Sequence, residues 1–168
     1  MKFILEFTEV NLFKFSILLF LLGEIVVFFI SKRIMVILRG PINCMMLSIF
    51  SYFARFLLLA FIESDWLVLP VQILHGFSFA LFWVAATEYI YNIAREEIYT
   101  TFFNTVISLY LNVGGLLGVL LCGMIYNEVG GARLFQGMAC LCAVWLIFMA
   151  VFYHILYKRH NEFKVSPQ

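Results

Sequence analysis

The stretch Asp65–Tyr91, DWLVLPVQILHGFSFALFWVAATEYIY, constrains the fold of this chain more than any other. Its roughly 27 residues carry one tilted helix across a bilayer whose apolar core takes about 20. A core helix in a water-soluble domain needs neither that length nor so little charge. Yet Gln72, His75, Ser78 and Thr87 lie inside the stretch, and Glu88 stands near its end. In hydrocarbon such side chains cost free energy unless they face other helices or a water-filled space. One face of this helix is therefore expected to meet something polar.

The rest of the chain is built the same way. It is 64% hydrophobic and 12% charged, with mean hydropathy +1.01, whereas soluble domains run near 25% charged. At these lengths only helices satisfy their own backbone in lipid. The predicted fold is all-α: a polytopic membrane helix bundle, one unit over residues 1–168. Spans are expected at about 11–30, 42–62, 66–91, 102–126 and 134–157, and 158–168 reads as a soluble tail. Gly23-Glu24 interrupts the first span. Residues 31–40 read as a basic loop, Glu63 and Asp65 mark an acidic turn, and Asn127–Arg133 forms a tight turn. Pro70 suits the first turns of the third helix. The start, Lys2 and then apolar residues, begins like a secretory signal. Glu6 and Glu9 break it and no cleavage site follows, so the whole chain is expected to be retained. A formal net charge of +1 gives nucleic acid no reason to bind.

Counting Lys and Arg on alternate sides sets the orientation. One side collects Lys32, Arg33, Arg39, Arg95, Lys158, Arg159 and Lys164, the other only Lys2, Lys14 and Arg133. The basic loops and the C-terminus are expected in the cytoplasm and the N-terminus outside. Five spans in that orientation make most sense as part of something longer.

The intramembrane polar positions are the candidate site. Glu24 lies about seven residues from the end of the first span, roughly 10 Å deep. Arg55 is its obvious partner, on one face of the second span with Ser48, Ser51 and Tyr52. It comes out about 9 Å off level. His75 is expected at mid-membrane, sharing a face with Gln72, Phe79, Phe82 and Ala86, and could relay a proton or bind a polar ligand. Trp83 could stack a ring or simply pack. Asn104, Ser108 and Asn112 recur at intervals of four and give the fourth span a polar stripe. Gly114, Gly118 and Gly123 read as a helix-packing face. Cys44, Cys122, Cys140 and Cys142 lack zinc spacing and read as buried inert thiols. No metal ligand set, cofactor motif or enzyme signature is present in the sequence, so no enzyme is expected.

Leu74-His75-Gly76-Phe77-Ser78-Phe79-Ala80-Leu81-Phe82-Trp83 resembles the tenth helix of the major facilitator superfamily. Its branch is the one with lactose permease, nucleoside/proton symporters and major facilitator superfamily domain-containing protein 6. Gly23-Glu24-Ile25-Val26-Val27-Phe28-Phe29-Ile30-Ser31 is similar to the eighth helix. Gly114-Gly115-Leu116-Leu117-Gly118 through Gly123-Met124-Ile125-Tyr126, with Gly130-Gly131-Ala132-Arg133 and Phe135, resembles the eleventh helix and its turn into the twelfth. The resemblance covers about Phe15 to Tyr157 and implies five helices matching helices 8–12 of a twelve-helix transporter. The seventh helix and an N-terminal six-helix half are then expected from outside this chain, from a partner or another copy.

That resemblance implies a central cavity opening alternately to each side. The His75 helix lines it, the Glu24 and Asn-stripe helices flank it, and the Arg55 helix lies toward the periphery. Proton-coupled sugar permeases of this type carry a carboxylate in helix eight, an arginine in nine, and a histidine followed three residues on by glutamate in ten. Glu24, Arg55 and His75 match these types, but Ser78 stands in the last place. Of the superfamily's gating motif only basic residues and Arg39-Gly40 remain. The expected function is part of a secondary active transporter for a small polar solute such as a sugar or nucleoside, in the plasma membrane. The competing expectation is a non-transporting receptor, partner protein or vestigial fragment of the same fold.

Overall fold

Hydropathy makes the long helices and a few glycines end them. The computed structural model describes residues 2–62 and 65–165, with side chains over 12–62 and 66–155. Helix α1 spans Lys2–Ile37, α2 Pro41–Phe61, α3 Val68–Ile93, α4 Tyr99–Val129 and α5 Gly131–Val165. All five are long and apolar enough to cross a membrane, and the described residues contain no strand. The chain is an integral multi-pass membrane protein. The acidic turn expected at Glu63 lies outside the described residues, as does the side chain of Asp65. Asp65–Leu67 is a short 3-10 turn leading into α3.

The helices run longer than the hydropathy windows suggested, and the turns are correspondingly short. Gly23-Glu24 does not interrupt α1, which continues through Lys32 and Arg33 to Ile37. The expected basic loop shrinks to Leu38–Gly40. There the Gly40 amide donates to the Met35 carbonyl at 3.1 Å and the Arg39 amide to Val36 at 3.2 Å. This pairing closes a helix with one left-handed residue, here Arg39 at φ 58°. Pro41 then opens α2 at a position where its missing N–H costs nothing. The second expected turn shrinks to Gly130, whose φ of 81° breaks the helix between Val129 and Gly131. The tail read as soluble continues α5 as helix to Val165.

Laterally the order is α1, α3, α2, α5, each packed along the next, while α4 touches the others sparingly. The core is a cluster of Val27, Cys44, Ala80, Leu81 and Ala85, ringed by Ile34, Met35, Leu38, Met45, Leu47 and Phe77. Most of these buried residues are small. Without a hydrophobic force between helices in lipid, close backbone approach and interhelical hydrogen bonds hold such a bundle. Both occur. A Cβ on Gly76 would sit 2.2 Å from the Phe20 carbonyl oxygen and 2.8 Å from the Glu24 amide nitrogen, and one on Gly23 2.8 Å from the Ile73 oxygen. Buried Ser48 Oγ donates to the Ser78 carbonyl at 2.6 Å, tying α2 to α3.

The glycines picked out as a packing face meet no neighbouring helix among the described residues. Nothing lies within 4 Å of a Cβ at Gly118 or Gly123, and Gly114 meets only the Leu109 carbonyl of its own helix, at 3.8 Å. The close crossing is made by Gly23 and Gly76. The thiols also differ from expectation: Cys44 is buried, but Cys140 is exposed on α5.

Candidate functional site

The α1/α3 crossing sets the level of the polar groups. Because α1 runs on to Ile37, Glu24 lies about 13 residues, or roughly 20 Å, from that end. It sits at the middle of the apolar segment Leu12–Ile37. Gly23-Glu24 meets Gly76 backbone to backbone, so Glu24 and His75 both adjoin the crossing. Glu24 and His75 therefore share a level on the two helices.

His75 lies in an aromatic nest. Phe20 of α1 stacks on the imidazole at 4.8 Å between ring centres, while Tyr52 of α2 and Phe79 stand edge-on at 6.1 and 6.4 Å. Phe79 stacks on Trp83 at 6.2 Å with rings 7° from parallel, and Trp83 leans on Tyr110 of α4 at 5.6 Å. Toward the other end, Tyr52 stacks on Phe56, and Phe56 on Phe135 of α5. Five helices thus contribute rings to one continuous ladder.

Arg55 belongs to this ladder. Its guanidinium carbon lies 5.4 Å from the Phe56 ring centre, and its charge is within electrostatic range of Tyr52 and His75. Glu24 does not pair with it: Arg55 makes no ion pair among the described residues. Arg55 Nε and His75 Nδ1 are both buried without a hydrogen-bond partner among the described residues. Gln72 is half-buried on α3, one turn before His75.

The Asn stripe forms a separate surface. Thr101, Asn104, Thr105, Ser108, Leu109, Asn112 and Val113 line one depression along α4, and no described residue of α4 is buried. Leu109–Gly114 is wound as π-helix. Such widened turns are found frequently at functional sites, and this one carries Asn112.

Glu24, Arg55 and His75 stand out in the sequence as ionisable groups within apolar runs and Trp83 as an aromatic among them, and the fold places Arg55, His75 and Trp83 along one ladder with Glu24 at the adjoining crossing. Asn104, Ser108 and Asn112 share a second surface. Sequence reasoning missed Phe20, Tyr52 and Tyr110 as members of the ladder, and Gly23 and Gly76 as its register. One signal was available: each of those glycines stands directly beside an intramembrane ionisable residue.

A family model described as "MFS_1 like family" matches residues 11–137. A "Major facilitator superfamily domain-containing protein 6-like" protein of Danio rerio is 34% identical over 92 residues. That stretch covers 55% of this chain, and the chain spans only 17% of the length of that curated relative. No solved structure gives a significant match.

Proposed function

The chain belongs to the MFS_1 like family, and from that premise we propose that it forms part of the wall of a solute pathway in a secondary active transporter. The fold is of transporter type, and the family is one of transporters rather than enzymes. The observation that carries the proposal is the polar face of α4. Asn104, Ser108 and Asn112 are exposed along a helix otherwise apolar enough to span the membrane. Amide side chains facing hydrocarbon are costly, so this face belongs against water or a protein partner. In alternating access the pathway lies between two halves. The counterpart half is supplied from outside these five helices, by an N-terminal six-helix half or another copy. The solute is a small polar one such as a sugar or nucleoside, with Glu24, Gln72 and His75 on its route and proton coupling through Glu24 and His75. The basic ends face the cytoplasm, in the plasma membrane.

Thiol labelling in cells tests this. In a background with Cys44, Cys122, Cys140 and Cys142 replaced by Ala, a hydrophilic maleimide is expected to modify Asn112→Cys. Leu117→Cys, on the other side of α4, should stay unmodified. Equal reactivity at the two positions, or none at Asn112→Cys, sinks the pathway.

A non-transporting partner role is favoured by one observation, the uncovered glycines Gly118 and Gly123, which suit docking on a second membrane protein. Solute uptake by the reconstituted chain that Glu24→Gln abolishes would eliminate that reading.

A further inference from the structure

Two buried nitrogens near one another on neighbouring helices have nothing to bond. Arg55 Nε on α2 and His75 Nδ1 on α3 are shielded and unpartnered among the described residues. Tyr52 stands between their surroundings, its ring edge-on to the imidazole at 6.1 Å and its position within electrostatic range of Arg55. A buried polar atom without a partner costs on the order of 1–3 kcal/mol.

The guanidinium raises a larger cost, because it cannot shed its proton in a protein. Arg55 makes no ion pair among the described residues, and Ser78, one turn beyond His75, offers no charge: its hydroxyl donates to the Leu74 carbonyl at 2.6 Å. The ring of Phe56 at 5.4 Å compensates the cation only in part. A bridging water would satisfy the hydrogen bonds and leave the charge uncompensated in a low-dielectric setting. An anionic acceptor satisfies both. Among anions a carboxylate matches the planar, forked guanidinium best, and its second oxygen can accept from imidazole or phenol.

The surroundings describe the remainder of the ligand. Beyond His75 the wall is aromatic, with Phe79 and Trp83 nearly parallel and Tyr110 beside them. Flat apolar groups lie favourably along such rings. We infer that Tyr52, Arg55 and His75 form the charged end of a binding site for a small organic carboxylate whose flat body lies along Phe79 and Trp83. This rests on the pathway reading and narrows it from polar solutes in general to organic anions.

Benzoate is the probe, and benzyl alcohol its uncharged counterpart. In the full chain in lipid nanodiscs, benzoate is expected to change tryptophan fluorescence saturably. Arg55→Gln should weaken that affinity at least tenfold, Arg55→Lys less, and the response to benzyl alcohol should be indifferent to both. His75→Phe supplies a second reading should Arg55→Gln fail to fold, as judged by its detergent unfolding midpoint, and is expected to weaken benzoate at least threefold. No benzoate response, or equal affinity in wild type and these variants, overturns the carboxylate site. If Asn112→Cys labels while benzoate has no effect, the pathway stands and the anion class falls. The reverse pattern keeps the site and removes it from the pathway.

Discussion

Gly76→Ala puts the α1/α3 crossing to its hardest test. The added Cβ would lie 2.2 Å from the Phe20 carbonyl oxygen and 2.8 Å from the Glu24 nitrogen, where ordinary contact begins at 3.4 Å. Both neighbours are backbone, so no rotamer change relieves the clash. Helix α1 must retreat by roughly 1 Å, and a gap of that size forfeits up to about half of each dispersion well along the interface. Overpacking typically costs about 1–3 kcal/mol, and a crossing limited by backbone belongs at the upper end, near 3 kcal/mol. Gly118→Ala and Gly123→Ala are the internal comparison, because nothing lies within 4 Å of either added methyl. Their only effect is on helix propensity, a gain of up to about 1 kcal/mol. The assay is SDS titration of the purified chain in mild detergent, followed by the fluorescence of Trp66, Trp83 and Trp145. Gly76→Ala should unfold far earlier than wild type, and Gly118→Ala no earlier. A Gly76→Ala midpoint matching that of Gly118→Ala would refute the backbone crossing, and with it the common level of Glu24 and His75.

The same titration checks three further substitutions. Ser48→Ala removes the buried 2.6 Å bond to the Ser78 carbonyl and should cost roughly 1 kcal/mol; an unchanged midpoint would mean the α2–α3 tie contributes nothing. Arg39→Gly relieves a non-glycine residue at φ 58° and should stabilise by about 1 kcal/mol; a destabilised variant would show that the arginine side chain outweighs its backbone strain. Gly130→Ala forces a side chain into φ 81°, ψ 168°, a region that is essentially glycine's alone, and should cost about 1–3 kcal/mol. If that substitution is silent, the break between α4 and α5 is not held as described.

The fold was legible wherever hydropathy decides it. Five apolar runs separated by charged or glycine-bearing segments dictate five helices, because lipid leaves the backbone no other choice. Helix ends were not legible on the same terms. Lys32 and Arg33 read as loop because they are charged, yet a helix carries charge readily once it clears the hydrocarbon, so α1 runs on to a break made by Arg39 and Gly40. Packing partners were not legible for a different reason. Gly114 and Gly118 satisfy a local four-residue pattern, but a pattern within one helix says nothing of which neighbour that face meets. Gly76 has a weaker form of the pattern, with Ala80 four residues on, but Gly23 has none, and only the pairing of α1 with α3 gives them their role.

The two polar surfaces divide the molecule by how each is covered. The Arg55–His75 ladder is enclosed by rings drawn from all five helices, yet two of its nitrogens have no partner among the described residues. The Asn104–Asn112 stripe is uncovered along its whole length. Tyr110 joins them: it follows Ser108 by two residues, lies within the π-helical segment that carries Asn112, and reaches Trp83. Rewinding that segment to regular α-helix would turn Asn112 and the residues beyond it relative to Tyr110, because π and α turns hold different numbers of residues. The contact between Tyr110 and Trp83 thus links the two surfaces, so a change in the winding of this segment at the stripe is felt at the ladder.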